Sequence, residues 1–498
     1  MYFLGVDSGP TGTSAVVLNL ESASVAARSR QGHELSREVS GGHCEQDPVL
    51  WIRAVDHTVR ECLAQLGEGR TRVAGVGVSG ESGALVVLDA GNRIVRPAKL
   101  RGDRSAARQG EEISRAFGGA PGLIELTGNP LGASSLAARM QWLRQSEPYH
   151  YREVASVLTL HDFVNYWMAG VKRTEFGEAS HTGLLDVRDR EWCRELVEFV
   201  DPALGEMLPP IGSSREPLGV LRGELARAWG LGEGVLVSAG GPREAMAALG
   251  AGVALDGMVL VETGPAGMIC GIRGEAAIDS RGELETCCDV TDRWLPMARR
   301  EAAALCAGQV GRHYGWGEAE VEAALGATKP GAQGLRMLPA MSGDFSVGVR
   351  DGRGVLMGME ASNLSASNVT RAAFEALALE FGRALGRMRE LGLAPAEVRL
   401  AGKNGGGPGW RQLLADVFGV PVRRAPGEAD AAFGAALQAA VTFFSQSGED
   451  LTFAEIANYV DHAEGCGVGE PDAERHAFYR EMLERHDALG ELFRGGEP

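Results

Sequence analysis

No apolar run in the 498 residues reaches the ~18 consecutive residues that cross a bilayer, so neither a membrane span nor a membrane partner is expected. The first residues, MYFLGVDSG, enter a strand pattern at once. They lack the basic stretch, apolar core and cleavage site of a leader peptide, and the chain reads as cytoplasmic. The eight cysteines are Cys44, Cys62, Cys193, Cys270, Cys287, Cys288, Cys306 and Cys466, with no CxxC pair and no short His/Cys cluster. That scatter argues for reduced, mostly buried thiols and against a disulfide framework. Adjacent Cys287 and Cys288 leave open a redox pair or plain packing. Positive charge is in short supply: 49 basic against 66 acidic side chains give a net charge of −17. Such a field repels phosphate backbones, so nucleic acid is not an expected partner.

Glycine is plentiful, 70 residues, about twice the usual share of roughly 7%. It follows no Gly-X-Y period, so it signals tight turns and backbone-lined ligand loops instead of collagen. With 44% apolar and 23% charged residues the chain is an ordinary globular one, long enough for two large domains. Residues 2–19 read as strand, Gly-rich turn and strand, with a polar tip over 7–13; residues 258–272 repeat the pattern around Gly264-Pro265-Ala266-Gly267. Two such hairpins half a chain apart suggest two similar domains. Between and after them strand patterns alternate with helical ones, the latter at 136–145, 195–200, 244–251, 365–391, 410–418 and 428–443. This alternation predicts an α/β protein that binds its ligand at glycine loops on strand ends. The expected division is 1–250, 251–445 and a charged helical appendage over 446–498.

Several segments, taken in order, resemble the FGGY carbohydrate kinases, the family of xylulokinase and glycerol kinase. They are Gly5-Val6-Asp7-Ser8-Gly9, Glu45-Gln46-Asp47-Pro48 with Trp51, residues 76–89 with Arg96-Pro97-Ala98, and His161-Asp162-Phe163. Glu178-Ala179-Ser180, Leu208-Pro209-Pro210, Ala239-Gly240-Gly241 with Leu249-Gly250-Ala251-Gly252, and Trp410-Arg411-Gln412 complete the set. The resemblance implies two actin-like (ribonuclease H-like) α/β domains around a central cleft. It also implies ATP and magnesium as cofactors, a sugar or polyol substrate, and a nucleotide partner; a homodimer is among the expectations. By the same resemblance Asp7 is the metal-side carboxylate. Gly9, Thr11, Thr13, Gly264 and Ala266 belong to the phosphate hairpins, and Gly402, Asn404 and Gly405 to the adenosine-side loop.

The chain departs from the family at the positions that carry the chemistry. Pro10 and Pro265 stand in the two phosphate loops where the family has threonine, and proline has no N–H to donate. Glu81-Ser82-Gly83-Ala84 replaces Gln-Met-His-Gly, and Arg101-Gly102-Asp103-Arg104-Ser105 replaces Trp-Asn-Asp-x-Arg. Glu81, Ser82, Arg101 and Asp103 therefore make the expected substrate site a charged one, suited to an acidic or amino-bearing ligand. A gapless match over 239–252 puts Arg243 on the family's catalytic aspartate. A guanidinium stays protonated and cannot serve as a general base. Glu244 and Asp103 are the substitute candidates. An arginine at a helix start needs an anion beside it, so Arg243 is expected to meet Asp7, Glu81 or a ligand anion. Three readings stay open: an ATP-dependent sugar or polyol kinase with a substitute base, a pseudokinase that binds or regulates, and an enzyme with a changed reaction on the same scaffold.

Overall fold

The computed structural model describes all residues except 35–41, 265–266, 340–353, 403–406, 427–429, 450, 462–466 and 496–498. Pro265, Ala266, Asn404 and Gly405 therefore lie outside the described residues. The chain forms two compact units. The first comprises Met1–Ala254, Gly274–Leu295 and Gly427–Ala463; the second comprises Leu255–Arg273, Pro296–Pro426 and Glu464–Pro498. Among the described residues no helix is long and apolar enough to cross a membrane.

In the first unit short, near-continuous runs of apolar and small residues, buried on both faces, form strands Tyr2–Gly9, Gly12–Asn19 and Val73–Gly80. The sheet runs in the order Pro217–Val220, Leu236–Ser238, Val73–Gly80, Tyr2–Gly9, Gly12–Asn19, Ser24–Gly32. Tyr2–Gly9 and Gly12–Asn19 form the expected hairpin, closed by Pro10 and Thr11 alone because Gly9 faces Gly12. Tyr2–Gly9 also runs parallel to Val73–Gly80, with Asp7 beside Ser79. Buried Leu4, Val6, Val17, Trp51, Val55, Val76 and Val78 share one core, to which helix Pro48–Leu66 contributes. On the other face lies the Ala-rich helix Ala431–Gln446. It approaches so closely that a Cβ on Gly5 would stand 1.9 Å from the Ala432 carbonyl oxygen, and one on Gly77 2.1 Å from that of Ala435. Two glycines of the sheet are thus spent on helix contact, not on ligand loops.

The second unit repeats the design. Strands Met258–Glu262 and Met268–Gly271 form a hairpin. Met258–Glu262 runs parallel to Glu397–Ala401, which runs parallel to Val422–Arg424. Helices Ala366–Glu390 and Pro408–Phe418 agree with the patterns at 365–391 and 410–418. The α/β class and the two actin-like domains expected from sequence are the observed architecture.

Candidate functional site

Strand register brings the chemistry of the first unit to one sheet end. Asp7 pairs with Ser79 and Ser8 with Gly80, so Glu81 follows at once, its N–H donating to the Ser8 carbonyl at 3.0 Å. Gly241 and Pro242 pair with Ser79 and Gly80 before helix Arg243–Gly250 begins. Pro242 occupies the N-cap, where its missing N–H is no loss. That helix is seated by close backbone approach: a Cβ on Gly434 would lie 1.9 Å from the Met246 carbonyl oxygen. Asp7, Glu81, Arg243 and Glu244 are consequently neighbours.

Arg243 takes the carboxylate of Asp7. Its Nε donates to Oδ1 and Oδ2 at 3.0 and 3.2 Å, and Nη2 lies 2.9 Å from Oδ2. Ser79 Oγ donates to Oδ1 at 3.0 Å. The guanidinium also lies over the hairpin, since a Cβ on Gly9 would stand 2.4 Å from Nη2. Burial disfavours the arginine's charge, but Asp7, and then Glu81 and Glu244, outweigh it and raise its pKa. Burial pushes the Glu81 carboxyl up, against the pull of Arg243 and Arg101.

This arrangement does not fit magnesium. The ion needs a near-octahedral shell of oxygens at about 2.0–2.1 Å. Both oxygens of Asp7 already face guanidinium nitrogens at about 3 Å, and a dication beside that guanidinium would meet like charge.

The other expected hairpin residues divide. Thr13 is buried; its hydroxyl bonds Ser8 Oγ at 2.8 Å and His33 Nε2 at 3.0 Å, so it supports the turn. Thr11 is exposed. Pro10 gives its carbonyl to Gln46 Nε2 at 3.1 Å. In the second unit Thr263 N donates to the Ala401 carbonyl at 3.0 Å, and Gly267 N to that of Gly264 at 3.1 Å. A Cβ on Gly402 would come within 3.1 Å of Thr263 N, so the residues that follow the ends of the two adjacent parallel strands lie side by side.

Beside Glu244 lies a cavity of about 320 Å³ lined in part by Ser82, Arg101, Asn129, Ser135, His181 and Cys287. Arg101 Nη1 donates to Ser82 Oγ at 3.2 Å and lies 3.6 Å from Glu244 Oε1, which Ser82 Oγ approaches to 3.3 Å. Ser82, Arg101 and Glu244 are thus one charged cluster at the edge of this cavity. Asp103 is not part of it. It is fully buried and accepts from Lys99 Nζ at 3.2 Å, Ser105 Oγ at 2.5 Å, Ser105 N at 3.1 Å and Cys44 N at 2.9 Å. Burial opposes its charge, yet the bonds from Ser105, Cys44 and Lys99 hold its carboxyl below the usual range.

Two groups behind the cavity were given no role by the sequence reading, although His161-Asp162 and Glu178 stand in the segments that resemble the family. Arg139, in helix Leu136–Ser146, is fully buried and donates to the carbonyls of Gly83, Leu100 (2.5 Å) and Arg101 (3.0 Å), tying both substrate segments together. Burial lowers its pKa to about 10. Only an arginine inside an otherwise apolar helical stripe could have signalled it. His161 lies 3.3 Å from Asp162 and 3.4 Å from Glu178, whose other oxygen accepts from Gly83 N at 2.8 Å. Burial would lower the imidazole, but Asp162 and Glu178 prevail and lift it to about 9.

Comparison with known proteins bears on this geometry. The N-terminal domain model of the FGGY family of carbohydrate kinases matches residues 2–250, and its C-terminal domain model matches residues 289–443. A xylulose kinase of Haemophilus influenzae is 29% identical over 443 residues, covering 88% of this chain and 90% of that protein. The crystal structure of a xylulose kinase from Rhodospirillum rubrum superposes with a TM-score of 0.86 at 25% identity, covering 99% of both chains. That of a xylulose kinase from Lactobacillus acidophilus gives a TM-score of 0.90 at 17% identity, again covering 99% of both. The chain belongs to the FGGY family of carbohydrate kinases.

Proposed function

We propose that this chain is a pseudokinase of the family: a protein that keeps a sugar-side pocket but in which Arg243 has shut down ordinary ATP-dependent phosphorylation of xylulose-type sugars. Its relatives named above are xylulose kinases, so a sugar or polyol, a nucleoside triphosphate and a divalent cation are the partners to test. The observation that carries the reading is the two-point pairing of Arg243 with Asp7. One residue thereby removes two functions, because the family's base is missing and its metal-side carboxylate is taken. Loss of a general base alone slows such chemistry about 10²–10⁴-fold. Glu244 is the nearest substitute, yet its Oε1 is engaged by Ser82 and Arg101. Asp103 takes four donors, Lys99 Nζ, Ser105 Oγ, Ser105 N and Cys44 N, which fill the roughly four lone pairs of its carboxylate and leave none for a substrate proton. The ligand class that suits the pocket is a carbohydrate bearing a negative group, met by Arg101.

An ADP-release assay with xylulose, glycerol and a panel of sugar acids tests this. The expected outcome is no turnover above background, with thermal stabilisation by at least one sugar acid that is lost in Arg101→Ala. Ordinary kinase turnover on any of these substrates overturns the proposal, and Glu244→Gln then shows whether Glu244 is the base.

A further inference from the structure

The pocket beside Arg101 holds a second chemistry that phosphoryl transfer does not use. His181, Glu285 and Cys287 place one ligand atom each within 4.8 Å of one another. Two of them come from a single strand, Glu285–Cys288, where residues two apart project to the same face. The third ends helix Phe176–Ser180. The frame is fixed by polar clamps. Asn129 exchanges two bonds with the backbone of Thr286, Nδ2 to the carbonyl at 2.8 Å and N–H to Oδ1 at 2.7 Å. Ser180 Oγ accepts from Cys288 N at 3.1 Å. Strand and helix end are therefore held to each other by the residues that flank the three ligand atoms.

We infer that His181, Glu285 and Cys287 form a zinc-type metal site, open on its fourth side to the pocket that Arg101 shares. The Cys287 Sγ to His181 Nδ1 separation is 3.6 Å. Zinc bonds of about 2.0 Å to nitrogen and 2.3 Å to sulfur at a tetrahedral angle put those atoms about 3.5 Å apart. A set of one thiolate, one imidazole and one carboxylate selects a borderline transition metal over calcium or magnesium, which prefer all-oxygen shells. Three protein ligands with a vacant position is the pattern of zinc sites that bind an exogenous molecule. Ser82, Arg101 and Asn129 line the same cavity, so the fourth ligand is an oxygen of water or of an anion that Arg101 also attracts. Binding converts the Cys287 thiol to thiolate and releases its proton to the buffer. His43, Glu45 and Asp103 are also close enough to share an ion. There Lys99 Nζ stands 3.0 Å from Glu45, 3.2 Å from Asp103 and 3.4 Å from His43, so an ammonium already fills the centre. The metal site is independent of whether the chain phosphorylates anything.

The full-length chain, stripped with chelator, is titrated with Co²⁺ as a spectroscopic probe and with Zn²⁺ in competition. One equivalent of Co²⁺ should produce a near-ultraviolet thiolate-to-cobalt band with tetrahedral visible bands, all displaced by Zn²⁺. Cys287→Ser should abolish the near-ultraviolet band. His181→Ala should weaken binding by more than about tenfold, since loss of even an outer-shell partner costs 10–100-fold. Absence of the band in the wild type, its persistence in Cys287→Ser, or unchanged affinity in His181→Ala overturns the assignment. His181 is partly exposed, so its variant keeps the test alive should Cys287→Ser fail to fold.

Discussion

Replacing Arg243 by alanine separates the cost of losing a structural ion pair from the gain of freeing the carboxylate proposed to face a metal. The pair is neither buried nor on the open surface: the side chains of Arg243 and Asp7 are 33% and 18% exposed. Removing one partner of a fully buried pair destabilises by roughly 3–5 kcal/mol, while exposed pairs contribute about 0–1 kcal/mol. An intermediate loss of about 2 kcal/mol is expected for Arg243→Ala, to be read from urea unfolding. Among the described residues Asp7 would keep only the Ser79 hydroxyl, and Glu81 and Glu244 would lose one of the two cations they share, keeping Arg101. In that variant magnesium should repay part of the loss. A cation at 100 times its dissociation constant stabilises by about 2.7 kcal/mol, and the wild type should show no such shift because Arg243 fills the site. The reasoning is refuted if Mg²⁺ with ATP stabilises the wild type as much as the variant, or if Arg243→Ala unfolds at the same urea concentration as the wild type.

Other expectations follow from the buried groups. Asp103→Asn should destabilise by about 2 kcal/mol in urea, because buried Lys99 keeps Glu45 but loses one of its two paired carboxylates; a fold left intact with a proton-transfer defect would make Asp103 a base after all. Arg139→Met should cost about 3 kcal/mol by removing a buried donor shared by three carbonyls, of which that of Leu100 keeps the Asp103 N–H, and should abolish sugar-acid binding in calorimetry while sparing the sheet. His161 ties stability to pH. Its folded pKa of about 9 lies above the ordinary 6.5, so its contribution is whole below pH 6.5 and vanishes as pH rises through 9. Urea midpoints should fall across that window by the equivalent of up to about 3 kcal/mol, and His161→Gln should flatten the slope. Glu175, which burial pushes up to about 7, adds a loss of the same sign between pH 4.5 and 7.

The fold was readable in the sequence because its signals are local. Alternating strands, the two Gly-turn hairpins and the long helix at 365–391 each declare themselves within a dozen or two residues. The Arg243–Asp7 contact was readable for a different reason: a cation forced onto a helix start beside few possible anions has little choice of partner. Nothing in the sequence around Asp103 announces that Lys99, four residues earlier, folds back to pair with it, so the surroundings of this base candidate could not be read there. Pairing of Thr13 with Ser8 and His33 was equally hidden, since a hairpin hydroxyl reads the same whether it faces ligand or core. Arg139 and the His181, Glu285 and Cys287 group were invisible for want of proximity. Their members are separated by up to 106 residues and meet only through the packing of a strand against a helix end.

The departures around Asp7 are best understood as one exchange of charge. On the resemblance to the family's pattern, Glu81 stands for a glutamine and Arg243 for an aspartate, so position 243 would exchange a negative charge for a positive one while position 81 gains a negative one. Arg243 now serves three carboxylates, Asp7, Glu81 and Glu244, while Arg101 balances Glu244 from the pocket side. Restoring the aspartate alone, by Arg243→Asp, would crowd four carboxylates around one strand end, and like charges at such range drive at least one to take up a proton. The variant should therefore be less stable than Arg243→Ala and should gain no turnover. Adding Glu81→Gln removes the extra charge and should recover at least about 1 kcal/mol beyond its effect in the wild type, where it leaves Arg243 with one anion fewer. A double-mutant cycle in urea measures this coupling. Additivity within about 0.5 kcal/mol would mean that residues 81 and 243 act independently, and the single-exchange account would fail.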